Sequence, residues 1–460
     1  MRVTREQRVL IVAILVAFVA FLDVAVINVA LPAMREELGG GLVIQQWVVD
    51  GYMITLGAFI LIAGSLSDSF GRLRIMRIGL YGFGATSLLC AIAPTGLVLV
   101  IARIFQGATG ALLVPSSLAL IISTFAPSEQ GKAIGKWTAW TTAAFVVGPL
   151  LGGVLVDVAS WRLIFAINVF PIAVALWMMK RLGRDEPNLA RPRVDFVGAG
   201  LCVLGLGGPV FALIEQERLG WSSPAIYLPL VLGILCFVAF IWWEHRTTDP
   251  MMPLEMFTVR NFGMGNVATL FIYAAFTFGP FALTVFLQEV GGYTALAAGV
   301  ATLPAVVMLI VLASFFGAWA GRIGPRLFMT VGPLVCAVGF LLTLTMTAEA
   351  VFWTQVLPGV TVFGLGMAIT VAPLTTAILG AIDPARAGIG SAINNAVARV
   401  AGLIAVACTG IIVGTALDLP GYHRAALATA ALLVVGGIVS LVGIRNPQLA
   451  PAAAADEARA

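Results

Sequence analysis

The sequence predicts an all-α integral membrane protein. Of its 460 residues, 60% are hydrophobic and 10% are charged, and its mean hydropathy is +1.03. A water-soluble globule of this length could not hide so much apolar surface. The apolar runs continue without alternation, which excludes a β-barrel. Helices remain as the spanning elements, because lipid offers no hydrogen-bond partners to the backbone.

Fourteen apolar segments are long enough to cross a hydrocarbon core of about 30 Å, which takes roughly 20 helical residues. The first follows Arg2, Arg5 and Arg8 but runs for about 25 residues without a cleavage pattern of small residues, so it is interpreted as a retained helix. The predicted spans cover residues 9–33, 44–66, 75–94, 97–124, 133–157, 161–182, 194–215, 224–243, 262–288, 297–319, 327–347, 351–380, 389–415 and 423–444.

Lysine and arginine are distributed unevenly between the predicted loops. Arg103 and Arg399 fall within spans, and all but four of the other basic residues fall in loops that share one side with the N-terminus. The four on the opposite side are Arg35, Arg162, Arg218 and Arg424. Cytoplasmic loops hold the excess of positive charge. Both termini are therefore predicted to be cytoplasmic, and the net charge of +4 needs no nucleic-acid partner. Much alanine, glycine and arginine with few lysines favours a bacterial source, so the expected location is a bacterial inner membrane.

The sequence contains no motif for ATP hydrolysis or for a metal site. It contains no G-x-x-x-x-G-K-[ST] loop, which excludes ATP hydrolysis within this chain. Its two histidines and five cysteines show no metal-ligand spacing. We therefore expect no enzyme activity, no cofactor and no metal. Transport energy would come from an ion gradient, either of protons or of sodium, or from the substrate's own gradient.

A weak internal repeat divides the chain into halves. The segment 64–74 resembles 317–326, and 127–131 resembles 384–388, both at offsets of about 255 residues. Two pairs of similar segments with nearly the same offset indicate two duplicated six-helix units. The predicted organisation is a six-helix bundle at 1–182, an inserted transmembrane hairpin at 194–243, a second six-helix bundle at 262–445 and a disordered cytoplasmic tail at 446–460.

The connection between the second and third spans is short and charged. It contains Gly64, Asp68, Gly71, Arg72 and Arg74 in the pattern G-x-L-x-D-x-x-G-R-x-R. Glycine permits a sharp turn, and the acid can pair with the arginines or with a helix N-terminus. The pattern resembles the signature of the major facilitator superfamily. That resemblance implies a cytoplasmic latch between the two halves, and a loop that only fixes topology is the alternative.

A second motif lies in the fifth predicted span. Gly148, Pro149, Gly152 and Gly153 resemble the g-x-x-x-G-P-x-x-G-G element of the antiporters in this superfamily, with Ala144 in place of the leading glycine. Glycine and proline are tolerated in a spanning helix whose neighbours restore its backbone bonds, and they let helices approach closely. The resemblance implies export, and helix packing without a transport role is the alternative.

A third motif occupies the first predicted span. Residues 22–32 read L-D-V-A-V-I-N-V-A-L-P and resemble the l-D-x-t-v-v-N-v-A-l-P motif of the fourteen-span drug:proton antiporters, with Ala25 at the usual threonine. The W-R-x-x-F-x-x-N pattern at 161–168 and the inserted hairpin extend the resemblance over nearly the whole chain. It implies the major facilitator fold, with two six-helix bundles and an inserted two-helix hairpin.

Asp23 and Arg103 are the strongest candidates for proton coupling. An ionised carboxylate at the middle of a span costs several kcal/mol, so Asp23 should face a cavity or a partner and can exchange a proton between the two sides. Arg103 and Gln106 match the R-x-x-Q-G-x-g-x-A element that the resemblance associates with coupling. A buried guanidinium keeps its charge, which makes Asp23 its natural partner. Fixed polar packing of Asp23, or a static ion pair with Arg103, is the alternative.

Other polar residues in the spans are weaker candidates. Asp50 lies about two turns inside the outer end of its span, and it can be a secondary proton or cation site or snorkel to the surface. Glu289 lies at an outer boundary, where solvation is the favoured interpretation. The candidates for the wall of a central cavity are Asn28, Gln106, Glu289, Asn394 and Arg399.

These patterns together predict a monomeric proton-coupled multidrug efflux antiporter. It would export small amphipathic, often lipophilic cationic compounds by alternating access of the two halves. One alternative is an exporter of a lipid or endogenous metabolite, in which Asp23 would serve coupling only. Another is a non-transporting membrane sensor or accessory protein, against which the intact hinge motif and Arg103 argue.

Overall fold

The computed structural model describes residues 4–182, 194–383, 386–414 and 416–446 and contains helices but no strands within those ranges. Nearly all of the predicted tail at 446–460 lies outside them. The α-helices are α1 (Arg5–Leu38), α2 (Gly41–Phe70), α3 (Arg72–Ala91), α4 (Gly96–Gly110), α5 (Leu113–Thr124), α6 (Pro127–Val158), α7 (Leu163–Ala166), α8 (Val169–Met179), α9 (Phe196–Leu219), α10 (Pro224–Arg246), α11 (Arg260–Glu289), α12 (Ala295–Ile323), α13 (Pro325–Leu342), α14 (Leu357–Leu379), α15 (Ala387–Ala407), α16 (Thr409–Val413) and α17 (Leu419–Gly443).

Twelve helices among the described residues are long and apolar enough to cross a membrane, with α4 and α5 counted together as one span, Gly96–Thr124. The prediction of fourteen spans also requires α3 and the pair α7–α8. Helix α3 has 20 residues, but Arg72, Arg74 and Arg77 lie in its first two turns and lower its hydropathy. The segment Leu163–Met179 is apolar but short, and its helix is interrupted at Ile167 and Asn168. The count of fourteen therefore stays a prediction.

Polar side chains and glycines set the helix boundaries. The side chain of Thr4 accepts a hydrogen bond from the backbone of Gln7 and begins α1 with a capping box. Gly71 separates α2 from α3 with φ 94°, and Gly324 separates α12 from α13 with φ 98°. Both angles lie in the region that favours glycine. The two hinges of the predicted repeat therefore turn the chain in the same way.

Each predicted half packs mainly within itself. Helix α1 packs on α6 and α2 on α4, whereas α13 packs on α14 and α11 on α17. Helices α9 and α10 form an antiparallel pair, and α9 also contacts α2 and α15. Contacts between the halves come chiefly from α6 with α12 and from α2 with α15. The division into domains stays a prediction, but these contacts define where one half would move against the other.

We call the end of the bundle that carries Arg5 and Phe70 the inner end, and the opposite end the outer end. The outer end is closed by polar contacts between the halves. Arg35 forms an ion pair with Glu289, which also accepts a hydrogen bond from Gln45 at 2.7 Å. The side chain of Gln46 donates to the backbone carbonyls of Val406 at 2.9 Å and Ala407 at 3.1 Å.

A helix cap adds to this outer closure. The carboxylate of Asp157, in the last turn of α6, accepts hydrogen bonds from the backbone N–H groups of Ala295 and Leu296, each at 2.9 Å. Those amides begin α12 and have no partner within their own helix. The side chain of Thr294 accepts from Ala297 and completes the cap. An acid of one half therefore caps a helix of the other.

Small residues allow α6 to approach both α1 and α12. A Cβ at Gly148 would lie 2.6 Å from the Cβ of Ala25, and one at Gly153 would lie 2.4 Å from the Cα of Leu296. Both distances are too short for a side chain, so any larger residue at either position must push the helices apart.

Replacing Gly153 with leucine should therefore weaken the outer closure. The new side chain meets the backbone of α12, and overpacking of this kind costs about 1–3 kcal/mol. We expect the midpoint of thermal unfolding in detergent to fall by several degrees relative to the native chain. Gly135→Leu is the control, because that glycine lies in the same helix with open space around it. Equal midpoints for the two variants would contradict the assignment.

Candidate functional site

The centre of the first half contains a buried polar network. The carboxylate of Asp23 accepts hydrogen bonds from Nη1 of Arg103 at 2.6 Å, from Nε2 of Gln106 at 3.0 Å and from Nδ2 of Asn168 at 3.1 Å. The hydroxyl of Ser87 accepts from the same Gln106 amide at 2.9 Å. All five side chains are buried. The contact between Asp23 and Arg103 that the sequence suggested is thus present.

Arg103 is held on several sides. Its Nη1 also donates to Oε1 of Gln106 at 2.8 Å, and its Nε donates to the backbone carbonyl of Val48 at 3.0 Å. The ring of Tyr52 lies over its guanidinium, 4.2 Å from the ring centre. Charge-assisted hydrogen bonds and a cation–π contact offset the cost of burying this cation.

Local geometry explains how the network assembles. Arg103 and Gln106 are three residues apart on α4 and therefore share a face. Asp23 lies near the middle of α1, which packs against α8. Asn168 occupies the break between α7 and α8, where the chain departs from a regular helix. That break turns the amide of Asn168 toward Asp23.

A cavity of about 660 Å³ extends from the inner end to the middle of the bundle. Its wall is mostly apolar. Among the residues that the structure describes, the charged ones in this wall are Arg399, Asp195 and Asp249. Asp23 is absent from the wall, whereas Tyr52 is part of it. Because Tyr52 also covers Arg103, it separates the buried network from the cavity.

Five residues were predicted to line a central cavity, and of these Arg399 lines the cavity in the structure. Gln106 belongs to the buried network, and Asn28 lies outside the wall. Asn394 donates to Asn266 and Thr269, at 3.1 and 2.9 Å. Glu289 takes part in the outer closure. In this conformation Gln106 and Asn394 make hydrogen bonds between helices, and Glu289 pairs with Arg35 at the outer end.

Asp50 is fully buried, and neither of its carboxylate oxygens has a hydrogen-bond partner in the described part of the chain. It lies on α2, three residues after Trp47. The alternative of snorkelling to the outer surface is not realised in this conformation. An ionised carboxylate in such a place is costly.

The hinge motif lies at the inner end. Gly64 lines the cavity, and Gly71 forms the turn into α3. Arg72 begins α3 and Arg74 is exposed. The backbone of Asp68 belongs to the last turn of α2, and its side chain lies outside the described part of the structure. A latch between the halves at this position therefore stays a prediction.

The antiporter motif lies at the contacts of α6 with its two neighbours. Gly148 and Gly152 face α1, where a Cβ at Gly152 would lie 2.2 Å from Cγ2 of Val26. Gly153 faces α12, and a Cβ at Gly299 of that helix would lie 2.6 Å from the carbonyl oxygen of Pro149. The motif thus allows close packing within the first half and between the halves.

Several residues of the site were not singled out from the sequence. Tyr52, Ser87 and Gln46 belong to no motif, and Asn168 was noted only as part of a family pattern. Each is a polar or aromatic residue in an otherwise apolar span. A polar residue inside a span is costly unless it has a partner. A search for polar residues within the apolar spans would therefore have identified them.

The sequence profile of the Major Facilitator Superfamily matches residues 13–406. The chain belongs to this superfamily. It is 34% identical over 438 residues to a methylenomycin A resistance protein of Bacillus subtilis (strain 168), with 95% of this chain and 92% of the relative covered. It is 34% identical to a puromycin resistance protein of Streptomyces alboniger, with 86% of this chain and 80% of the relative covered. The fourteen-span subfamily stays a prediction.

Solved structures of membrane transporters share the fold. A peptide transporter gives a TM-score of 0.71 at 15% identity, with 95% of this chain and 93% of that chain covered. A D-xylose–proton symporter gives 0.67 at 15% identity, with 96% and 99% covered. The predicted all-helical major facilitator fold is confirmed, and the chain is a multi-pass membrane transporter and not an enzyme.

The network predicts a strong energetic coupling between Asp23 and Arg103. Arg103→Met leaves a buried carboxylate without its cation, which costs about 3–5 kcal/mol. In the double variant with Asp23→Leu no unpaired charge remains, so the loss should be smaller than the sum of the single losses by at least about 1 kcal/mol. Denaturant unfolding in micelles measures these values, and additive losses would contradict the pairing.

Proposed function

We propose that this transporter is a proton-coupled efflux antiporter for drugs and antibiotics, with fourteen spans and both termini on the cytoplasmic side of a bacterial inner membrane. The observation that carries the proposal is the carboxylate–guanidinium network beside a cavity that reaches the inner end. Relatives named as antibiotic resistance proteins, at 34% identity over most of the chain, support the substrate class.

Alternating access is proposed to use the contacts between the halves. With the outer end closed and the cavity at the inner end, the arrangement is that of an inward-facing state. Opening to the outside requires the contacts at Glu289, Gln46 and Asp157 to break. The inner ends of α2, α5 and α15, which line the cavity, would then come together.

Asp23 is proposed as the coupling carboxyl. Taking up a proton removes its charge and with it the ion pair to Arg103. Helix α1 carries Asp23 and also contacts α11 and α12 of the second half. Protonation can therefore shift the equilibrium between inward and outward states, by as much as the proton affinity of Asp23 differs between them.

Tyr52 provides a route by which cargo can affect this network. It lines the cavity and covers Arg103, so a molecule in the cavity contacts the residue that holds the ion pair. Asp50 is proposed as a second proton carrier, because no described residue donates a hydrogen bond to its buried oxygens in this conformation.

The predicted preference for cationic compounds depends on Asp23 reaching the substrate. Asp23 is instead enclosed by three donors and lies outside the cavity wall. We therefore assign Asp23 to coupling and derive the charge preference of the cavity from the residues that line it.

Proton flux in liposomes tests the proposal. The purified protein is reconstituted, a pH gradient is imposed, and rhodamine 123 or fluorescein is added. We expect at least one of these xanthene dyes, which differ in charge, to drive proton movement. Asp23→Asn should abolish that movement, because amide and carboxyl are alike in size but only the carboxyl titrates.

Glu349→Gln is the matched control, since this acid is exposed outside the network. Flux that survives in Asp23→Asn would move the coupling site to Asp50. A protein that binds neither dye and moves no protons would contradict the efflux proposal itself.

A further inference from the structure

Among the described residues of the cavity wall, one arginine lies deep inside the bundle. Arg399 lies twelve residues after the start of α15 at the inner end, which corresponds to about 18 Å of helix. It therefore lies near the middle of a hydrocarbon core of about 30 Å. Its Cβ packs against Gly57 of α2, with 3.6 Å to the position that a Cβ of Gly57 would take. Arg399 thus projects from the second half at its contact with the first.

The guanidinium of Arg399 has no ion-pair or hydrogen-bond partner among the residues that the structure describes. Arg103, the other arginine at this depth, has a carboxylate, an amide oxygen and a backbone carbonyl around it. A cation within a span normally finds such partners, because an unpaired charge there is costly. Arg399 faces a cavity instead, which is where a ligand can supply the missing anion.

The surroundings of Arg399 fit an amphipathic ligand. Tyr52 and Asn395 lie in the same wall, and apolar side chains form most of the rest, among them Phe21, Leu56 and Val114. Asp23 does not pair with Arg399, because it is enclosed behind Tyr52. At mid-depth the cavity therefore combines one positive charge with an apolar surface.

The carboxylates that the described residues contribute to the cavity lie at its inner mouth. Asp195 precedes α9, and its oxygens accept from the backbone of Gly198 at 2.8 Å and from Nε1 of Trp243 at 2.9 and 3.0 Å. Asp249 lies in the connection between α10 and α11. Neither acid forms an ion pair with Arg399, so its guanidinium can bind a ligand in the cavity.

We propose that Arg399 is the substrate-binding cation of this transporter and that its preferred cargo is an amphipathic organic anion, such as a carboxylate attached to an apolar ring system. A guanidinium binds a carboxylate through two parallel hydrogen bonds, and apolar walls hold the remainder with loose shape selection. This inference rests on the proposed efflux function and narrows its substrate class.

Two dyes with the same ring skeleton and opposite charge test the inference. Fluorescein is an anion and rhodamine 123 is a cation at pH 7.5, and fluorescence anisotropy gives the dissociation constant of each for the protein in nanodiscs, with empty nanodiscs as the blank. We expect fluorescein to bind at least tenfold more tightly than rhodamine 123. Arg399→Gln should weaken fluorescein binding at least about tenfold, the loss typical of a charge-assisted contact, and leave rhodamine 123 binding unchanged or stronger.

Two further variants make the test specific. Arg399→Lys keeps the charge but loses the paired hydrogen bonds, so its affinity for fluorescein should fall between those of the native chain and Arg399→Gln. Arg5→Gln removes an exposed arginine at the start of α1 and should change neither constant. If Arg399→Gln does not fold, the preference of the native chain and the effect of Arg399→Lys still decide the question.

Tighter binding of rhodamine 123 by the native chain, or fluorescein binding that is equal in the native chain and Arg399→Gln, would overturn the inference. Arg399 would then be assigned as a partner for a carboxylate such as Asp50 in another conformation. Export of rhodamine 123 without fluorescein would preserve the efflux function and reject only the anion preference. Transport of neither dye would reject both.

Discussion

A charge in the hydrocarbon core must be paired, and the pair of Asp23 with Arg103 shows how much of the bundle serves that requirement. Two helices supply the charges, the break between α7 and α8 supplies an amide, α3 supplies a hydroxyl, and α2 supplies a backbone carbonyl and an aromatic ring. The first half is thus organised around one ion pair. A change in the charge of that pair therefore acts on every helix that contacts it.

The two halves surround their buried arginine in different ways. In the first half the deep cation is enclosed by its own chain, and in the second half it lies open to the cavity. An enclosed pair suits a step in which a proton is exchanged and cargo is kept away from the carboxylate. A cation that is open to the cavity suits a step in which a group of the cargo pairs with its charge. Separate sites for proton and cargo would communicate through Tyr52, which contacts both.

The sequence predicted the fold well because its evidence is local. Apolar runs and hinge glycines each depend on a few neighbouring residues, and motif patterns gave Asp23 and Arg103. It predicted the cavity poorly, because the wall is set by how helices rotate and cross, which single-residue patterns do not encode. Asn394 and Arg399 show the limit. They are five residues apart on one helix, yet one is tied to α11 and the other faces the cavity.

The cap that Asp157 provides for α12 makes the outer closure sensitive to hydration. The backbone amides of Ala295 and Leu296 depend on an acid from the other half, so parting the halves leaves two donors and one carboxylate without partners. Only water can replace those bonds at once. Separation of the helices and wetting of the cleft must therefore occur together, and a dry outer opening is not an accessible intermediate.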